Sequence, residues 1–357
     1  MNILVKIMLE KFSILDFKIG GSRTFIIAEA GVNHNGDIDL AKELINEAKK
    51  ANVDAIKFQT FITEELVTNY APKAEYQKKN TAYDESQFNM IKKLELSFET
   101  FGELKNHADN QNILFLSTPF DLPSVEYLAN LGIPAFKVGS GDMNNTVMLE
   151  RIVREKKPIL LSTGMASLDE ISEIFTFLVE NGVIELLLFH CTTNYPASID
   201  SLNLRSISTL QKLFKIPIGF SDHSLGIEAP KLAVALGAKA IEKHFTLNKN
   251  LAGPDHKASV EPEELKEMVN EIRITERMLG SPNIIVNEVE KQTRIVARKS
   301  IVANRDISKS TILSREDLTV KRPGDGIPPK NIDLIIGKIA NKNIQKNDQI
   351  SWENLDD

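Results

Sequence analysis

The 357-residue chain is 42% hydrophobic and 26% charged, which is typical of a globular protein with one large and one small domain. Its formal net charge of −6 gives no basic surface for nucleic acid, and no stretch approaches the ~20 apolar residues that a membrane helix needs. The single cysteine, Cys191, excludes an internal disulfide and, with no signal-peptide core at the amino terminus, predicts a cytoplasmic protein.

Two short apolar runs open the predicted fold. Phe25–Ala28 is the first predicted strand and is followed by a polar turn that begins with Glu29. Val53–Phe58 is the second and carries Lys57 near its end. The segment from Thr60 to Glu85 has little periodicity, and loops of this length in compact domains are usually lids or binding loops.

Strand and helix patterns then alternate regularly. Each strand pattern is a short apolar run, and each is followed by residues that are apolar at helical spacing. The six further strands are Ile113–Leu116, Ala135–Val138, Pro158–Leu161, Leu186–Phe189, Ile216–Phe220 and Ala238–Ile241. The helices after them are Leu122–Asn130, Thr146–Lys156, Leu168–Asn181, Leu202–Phe214, Glu228–Leu236 and Pro262–Leu279.

Eight such units in roughly 260 residues predict an α/β fold, the TIM (β/α)8 barrel. The alternative is an open, doubly wound sheet, which usually has fewer strands and often a glycine-rich phosphate loop after the first. The sequence contains no G-x-G-x-x-G motif. In a TIM barrel the active site lies at the carboxyl ends of the strands.

Two histidines stand just after neighbouring predicted strands. His223 follows the seventh strand and His244 follows the eighth, so parallel pairing would bring both imidazoles to one edge. Two imidazoles in one small volume are typical of a divalent metal site. The alternative is that each histidine caps its own strand through a hydrogen bond.

The composition changes near Gly280. We predict a barrel domain over residues 1–280, with a short N-terminal extension, a linker over 281–290, and a small, mostly β domain over 291–357. The core of the small domain would be thin, so we expect it to pack against something else. It carries one rigid turn, Arg322-Pro323-Gly324.

The chain resembles the sialic acid synthase family, the phosphoenolpyruvate-dependent synthases of nonulosonic acids. The resemblance extends in order from Phe25 to Gly326, nearly the whole chain. The matching stretches are AEAGVNHNG, KFQTF, APKAEYQKKNT, ESQFNMIKKLEL, FLSTPFD, FKVGSGD, LSTGMASLDEI, HCTTNYP, GFSDHSLG, IEKHFTL, GPDHKAS and VKRPGDG.

The resemblance implies a TIM barrel followed by an antifreeze-like (SAF) domain, in a domain-swapped homodimer whose SAF domain covers the partner's barrel. His223 and His244 would bind a catalytic divalent cation, usually Mn²⁺, with Mg²⁺ or Co²⁺ as alternatives. The implied phosphoenolpyruvate site consists of Lys57, Thr118, Lys137, Ser140, Ser162 and Ser221. The implied contacts to an N-acylated aminosugar are Glu29, Tyr195, Asp255 and, from the partner subunit, Arg322.

Two positions depart from the family pattern. Asp142 stands where a glutamate is common, and we predict that its carboxylate guides the water that attacks carbon 2 of phosphoenolpyruvate, with Glu242 in support. Thr193 stands where some members have an asparagine that contacts phosphate.

The expected reaction condenses phosphoenolpyruvate, N-acetylmannosamine and water to N-acetylneuraminate and phosphate. One alternative is the same chemistry on 2,4-diacetamido-2,4,6-trideoxymannose, which gives legionaminic acid. Another is a non-catalytic sugar-binding protein, against which Lys57, His223 and His244 argue. A Cys191–His190 nucleophile is disfavoured because adjacent strand residues point to opposite faces.

Overall fold

The computed structural model describes residues 8–81 and 85–357. Two compact units make up the chain, the first ending at Gly280 and the second beginning at Ser281. Among the described residues, none of the helices combines the length and the apolar character that crossing a bilayer requires.

The strands of the first unit form a hairpin and a barrel. The antiparallel hairpin consists of β1 (Phe12–Ile14) and β2 (Phe17–Ile19). The barrel strands are β3 (Phe25–Gly31), β4 (Ala55–Thr60), β5 (Leu114–Pro119), β6 (Phe136–Val138), β7 (Ile159–Ser162), β8 (Leu186–Cys191), β9 (Ile218–Asp222) and β10 (Ala240–His244).

The barrel sheet is parallel and has the order β5-β4-β3-β10-β9-β8-β7-β6. The two strands at the ends of this order also lie side by side, so the sheet curves into a nearly closed barrel. The predicted TIM barrel is therefore confirmed.

Helices alternate with the barrel strands and cover the outside of the sheet. Several begin at a side-chain cap, as at Asp37 and Ser167, whose oxygens accept backbone N–H groups of the first turn. The helices are α1 (Ile38–Lys50), α2 (Thr63–Leu66), α3 (Glu75–Asn80), α4 (Gln87–Lys92), α5 (Phe98–Asn110), α6 (Leu122–Leu131), α7 (Thr146–Val153), α8 (Leu168–Glu180), α9 (Ser206–Phe214), α10 (Glu228–Ala235) and α11 (Pro262–Leu279).

The segment predicted as a long loop, Thr60 to Glu85, contains two short helices, α2 and α3. Both are too short for a periodic apolar pattern to show in the sequence. Residues 82–84 of this segment lie outside the described residues.

The interior of the barrel is apolar at its amino end. Side chains that alternate along each strand point inward, and those nearest the amino ends form one buried cluster with the hairpin. Its members are Phe12, Ile14, Ile19, Phe25, Ile27, Ala55, Leu116, Ala135, Leu160, Leu187, Phe189 and Ala240. The hairpin thus closes the amino end of the barrel.

Gly219 occupies the corresponding inward position on β9. A Cβ at this residue would lie 2.7 Å from two ring carbons of Phe189, so only glycine leaves room for that ring. The aromatic side chain can then fill the middle of the barrel without displacing the strand.

Several barrel strands continue beyond the predicted apolar runs. The first was predicted to end at Ala28 and the last at Ile241, but β3 extends to Gly31 and β10 to His244. The added residues alternate between inward and outward positions like those before them. Polar and charged side chains therefore enter the barrel interior at its carboxyl end.

A buried ion pair lies on the outer face of the sheet, beneath the helices. Lys243 Nζ is 2.5 Å from Asp222 Oδ2, and both side chains are fully buried. The same Nζ donates to the carbonyl oxygen of Ser224, and Asp222 Oδ1 accepts the Ser224 N–H. This network fixes the loop that carries His223.

The second unit begins with helix α12 (Glu288–Ala297). The helix starts inside the predicted linker 281–290, because Asn287 and Glu290 form a reciprocal capping box. Short antiparallel pairs follow, with an apolar core of their own around Ile301, Leu313 and Ile335. Their strands are β11 (Ser300–Ala303), β12 (Leu318–Lys321), β13 (Ile339–Ala340) and β14 (Leu355–Asp356).

The buried pair generates a stability prediction. We expect Asp222→Ala to lower the free energy of unfolding of the barrel by about 3–5 kcal/mol, because it leaves the Lys243 ammonium buried without its counter-charge. Chemical denaturation measures the change. Asp109→Ala is the control, since it breaks the exposed pair with Lys105 and should cost at most about 1 kcal/mol. Equal losses in the two variants would contradict a special role for the buried pair.

Candidate active site

A polar chamber of about 140 Å³ lies at the carboxyl end of the barrel. Most of its strand residues point inward two positions beyond the apolar cluster, as Lys57 follows Ala55 and Lys137 follows Ala135. Ten residues predicted from the sequence line it, namely Glu29, Lys57, Thr118, Lys137, Ser140, Ser162, Tyr195, Ser221, His223 and His244. The structure therefore brings together residues from seven of the eight barrel strands and from the loop after β8.

Four buried, charged side chains lie next to one another in the lining of the chamber. Lys57 Nζ lies 2.6 Å from Glu29 Oε2 and 3.8 Å from Glu242 Oε2. Lys137 Nζ lies 3.4 Å from Glu242 Oε1. All four side chains are at most 6% exposed. Two lysines and two glutamates give zero formal charge, which makes their burial tolerable.

Hydroxyl groups complete the coordination of the charged groups. Lys57 Nζ donates to Thr118 Oγ1 at 2.8 Å, and Lys137 Nζ donates to Ser162 Oγ at 2.7 Å. Ser221 Oγ donates to Glu242 Oε1 at 2.9 Å. The chamber is thus a connected network of cations, anions and hydroxyls around a small open volume.

Burial affects the two glutamates differently. Burial raises the pKa of Glu29, and the nearby Lys57 only partly opposes this effect. Burial also acts on Glu242, but Lys137, Lys57 and the hydrogen bond from Ser221 outweigh it and hold its pKa below the usual range. Glu242 is therefore the firmly ionised member, and Glu29 is the one that can more easily take up a proton.

The two histidines stand together at the chamber. The ring centroids of His223 and His244 are 5.5 Å apart. Burial lowers the pKa of both imidazoles, and the neighbouring His223 lowers the pKa of His244 further. Nδ1 of His223 lies 2.8 Å from the carbonyl oxygen of Thr192, so it carries the proton and leaves Nε2 with a free lone pair.

The histidines fit a metal ion in chemistry and in number. Nδ1 of His244 is buried and has no hydrogen-bond partner among the described residues. Two neutral imidazoles supply two ligands and leave coordination positions for water and substrate, as catalytic metal sites require. Residues 8–81 and 85–357 contain no cluster of three or more His, Cys, Asp or Glu side chains placed to hold a metal. Among the described residues, His223 and His244 are thus the pair that the site would offer to such an ion.

A second cavity of about 280 Å³ adjoins the chamber, and we call it the outer pocket. Gln59, Phe120, Tyr195 and His244 line both cavities. Asp255 lines the outer pocket only, and burial, followed by the charge of Glu29, raises its pKa to about 7. Its Oδ1 is buried without a hydrogen-bond partner among the described residues.

Aromatic rings connect the outer pocket to the histidines. The Tyr195 ring lies 4.3 Å from the His223 ring and 5.5 Å from the His244 ring, measured between centroids. On its other side the Tyr76 ring, from α3, lies 5.0 Å away. The segment predicted as a lid thus contributes an aromatic wall to the site.

Two predicted site residues do not line either cavity. Asp142 lies in the turn after β6, where its Oδ1 accepts a hydrogen bond from Asn145. Arg322 belongs to the second unit, and Asp325, its nearest acidic neighbour in sequence, accepts from Gln349 instead.

Glu242, predicted only in a supporting role, and Gln59, not predicted as a site residue, also line the chamber. Counting two positions along a strand finds both, because Glu242 precedes His244 and Gln59 follows Lys57 on the same face. Thr193 also lines the chamber. A Cβ on Gly164 would lie 2.1 Å from Thr193 Oγ1, so only glycine at this position leaves room for the threonine side chain.

His190 and Cys191 face opposite sides of β8, as the alternation predicts. Cys191 Sγ lies 3.2 Å from Ser140 Oγ, whereas His190 Nε2 lies 2.7 Å from the carbonyl oxygen of Leu202. Burial raises the pKa of the Cys191 thiol. The geometry therefore does not support a Cys–His nucleophile.

Comparisons with known proteins agree with this architecture. The NeuB family model matches residues 44–283, and the SAF domain model matches residues 298–356. The N,N'-diacetyllegionaminic acid synthase of Campylobacter jejuni is 47% identical, covering 92% of this chain and 99% of its own. Human N-acetylneuraminate-9-phosphate synthase is 39% identical, covering 95% and 94%.

A solved structure is also similar. The crystal structure of the N-acetylneuraminic acid (sialic acid) synthetase of Leptospira borgpetersenii aligns with a TM-score of 0.71 at 35% identity, covering 80% of this chain and 96% of that one. Matches of this extent include the barrel and the chamber at its carboxyl end. The chain belongs to the NeuB family and carries a SAF domain after its barrel.

Proposed function

We propose that this protein condenses phosphoenolpyruvate with an N-acylated aminosugar to give a nonulosonic acid and phosphate. The observation that carries the proposal is the chamber, which places two buried lysines, a set of hydroxyls and two neutral histidines around one small volume. The names of the relatives, synthases of legionaminic and neuraminic acids, support the same reaction class.

The part of the chamber that contains Lys57 and Lys137 suits phosphoenolpyruvate. Lys57 and Lys137 can donate charge-assisted hydrogen bonds to its phosphate and carboxylate, and the hydroxyls of Thr118, Ser162 and Ser221 can add further donors. These groups bind one another in the described structure. The entering anion would replace Glu242 and Glu29 as acceptors for part of the network.

His223 and His244 would hold the divalent cation, which we propose to be Mn²⁺, with Mg²⁺ or Co²⁺ as alternatives. When bound, such an ion supplies Lewis-acid polarisation of a carbonyl oxygen. Tyr195 packs against both imidazoles and so keeps their planes fixed. The raised pKa of the Tyr195 phenol, caused mainly by burial, keeps it a neutral hydrogen-bond donor.

The proposed chemistry forms one C–C bond and one C–O bond, the latter from water, and breaks the C–O bond between carbon 2 and the phosphate oxygen, while the aldehyde oxygen takes up a proton and becomes a hydroxyl. Carbon 3 of phosphoenolpyruvate adds to the aldehyde carbon of the open-chain sugar, water adds to carbon 2, and phosphate leaves with the oxygen it carried. A carboxylate must accept the proton of that water. Asp142 remains our proposal for this role, and Glu29, inside the chamber with a raised pKa, is the alternative.

The aminosugar would lie above phosphoenolpyruvate, where Asp255 and Tyr195 line the outer pocket. N-acetylmannosamine and 2,4-diacetamido-2,4,6-trideoxymannose are both candidates. The homodimer, the contact from Arg322 of one subunit to the sugar on the other, and a cytoplasmic location are further parts of the proposal that follow from the family.

The direct test is phosphate release in the presence of phosphoenolpyruvate and a panel of N-acylated aminosugars. We expect release to need both substrates, to stop after chelation and to return with Mn²⁺. His223→Ala and His244→Ala should abolish turnover while the circular dichroism spectrum stays unchanged, and His107→Ala, on the outer helix α5, is the matched control. Full activity after thorough chelation would refute the metal role.

Lys137→Met should weaken the binding of phosphoenolpyruvate more than the binding of the aminosugar. The substitution removes a buried donor of charge-assisted hydrogen bonds, each worth about 1.5–3 kcal/mol, so KM for phosphoenolpyruvate should rise about ten- to a hundred-fold. Lys157→Met, at the amino end of β7, is the control and should change neither constant. If only the KM for the aminosugar changed, the phosphoenolpyruvate site would have to lie away from Lys137.

The pKa of Asp255 predicts that kcat/KM for the aminosugar depends on pH. A carboxyl group with a pKa of about 7 is about one-tenth ionised at pH 6 and about nine-tenths at pH 8, so kcat/KM for the sugar should rise over this range. Glu29, Tyr76 and Tyr195 face the group, and burial raises the pKa of each. Asp255→Asn should lower kcat/KM and flatten this rise. An unchanged slope in the variant would assign the titration to another group.

A further inference from the structure

The polar turn after β3 has a sequence, Asn33-His34-Asn35-Gly36, to which the proposed chemistry assigns no role. Among the described residues that line the chamber and the outer pocket, none comes from this turn. Asn33 and His34 are nevertheless at most 2% exposed. Buried polar side chains need hydrogen-bond partners, and those of Asn33 and Asn35 lie in the segment after β10 that carries Asp255.

The first connection between the turn and this segment runs through Ser259. Nδ2 of Asn33 donates to Ser259 Oγ and to the carbonyl oxygen of Phe245, at 2.9 Å in each case. Ser259 Oγ in turn donates to the backbone carbonyl oxygen of Asp255 at 2.7 Å. Asn33 and Ser259 are each 2% exposed, so water competes little for these hydrogen bonds.

The second connection runs through His256, which follows Asp255 and is fully buried. Its Nε2 lies 3.1 Å from Asn35 Oδ1, an atom that only accepts, so Nε2 carries the proton. Nδ1 therefore accepts from Thr246 Oγ1, 2.6 Å away. A Cβ on Gly253 would lie 2.6 Å from the imidazole, so only glycine leaves room for this ring. Both ring nitrogens thus hold the residue next to Asp255 in place.

The position of the Asp255 carboxylate depends on this support. Its Oδ1 is buried and has no hydrogen-bond partner in the part of the chain that the structure describes. The backbone then has to place the side chain, and binding groups keep a productive geometry only when neighbouring residues lock them. β3, which leads into the turn, also carries Glu29, whose charge raises the pKa of Asp255. The turn therefore connects the two carboxyl groups of the site.

We propose that Asn33, Asn35 and His256 are positioning residues, which hold the main chain of Asp255 and so keep its carboxylate at the outer pocket. This inference rests on the proposed function, in which Asp255 contacts the aminosugar. Loss of one hydrogen bond of this support should impair use of the aminosugar and spare phosphoenolpyruvate, which Lys137 would bind. A purely structural role would lower stability without separating the two substrates.

Asn35→Gly is the mildest test of the proposal. Asn35 has a φ of 52°, which glycine adopts without strain, so the substitution removes the acceptor for His256 and spares the turn. We expect kcat/KM for the aminosugar to fall about ten-fold in assays of phosphate release, with an unchanged KM for phosphoenolpyruvate. Asn52→Gly is the matched control, because Asn52 has a φ of 61° after helix α1, is exposed, and should tolerate glycine with no change in either constant.

Two outcomes of this comparison would count against different claims. An unchanged kcat/KM for the aminosugar in Asn35→Gly, or an equal loss for both substrates, would overturn the positioning role while the reaction itself stood. No phosphate release by the unsubstituted protein with any aminosugar would refute the proposed function, and this inference with it.

A pair of variants at His256 tests the ring itself. His256→Gln retains an N–H donor that can reach Asn35, so it should keep most of kcat/KM for the aminosugar. His256→Leu is of similar size but has no polar atom, and it should lose at least as much as Asn35→Gly. Thermal unfolding checks that both variants are folded, and Asn35→Gly decides if either is not. Equal activity in two folded variants would contradict the proposal.

A double-mutant cycle shows whether the turn acts through Asp255. When Asp255→Asn has already removed the carboxylate charge, adding Asn35→Gly should lower kcat/KM for the aminosugar by less than about two-fold. The same substitution alone should lower it about ten-fold. Effects that simply multiply in the double variant would mean that the turn acts by another route, and would overturn the proposal.

Discussion

The ion-pair network inside the barrel is the interaction on which the rest of the site depends. Glu29, Lys57, Glu242 and Lys137 are buried side by side, and any one of them alone would be too costly to keep ionised in such a place. Together they are neutral, and hydroxyl groups bind three of them, Lys57, Lys137 and Glu242. The barrel can therefore hold two lysines away from water in the absence of a substrate.

Mutual neutralisation also bears on how the chamber could accept the anion proposed above. Glu242 is kept ionised by the lysines on either side of it, whereas burial raises the pKa of Glu29 despite its contact with Lys57. An entering anion would compete with both glutamates for the same ammonium groups. Proton uptake by Glu29 would relieve the added negative charge, and so would a cation at the histidine pair.

The fold was predictable because its signals are local and repeated. Short apolar runs followed by helical patterns indicated the eight strands and their active end, and the resemblance to a known family then supplied most of the ten predicted residues that line the chamber. The ends of the strands were not predictable from hydropathy, since β3 and β10 continue through Glu29 and His244. Their burial depends on partners from other strands, which no single stretch of sequence reveals.

The omission of Gln59 from the predicted site has a related cause. Gln59 lies between more familiar residues on β4, and only the alternation of faces places it in the chamber. The buried cluster of Val32, Phe61 and Leu94 was hidden for a different reason. Its residues are separated along an irregular segment, and they form one surface only because short helices fold that segment over the barrel.

The hairpin at the amino end has a consequence for how ligands could enter the barrel. Its apolar side chains fill the base together with those of the strands, so within the described structure the chamber is a well that opens at the carboxyl end. With the substrates in the places proposed above, the one beside Lys137 would have to enter before the one beside Asp255. The order of binding, which product-inhibition patterns report, would then depend on residues at the base of the barrel that touch neither substrate.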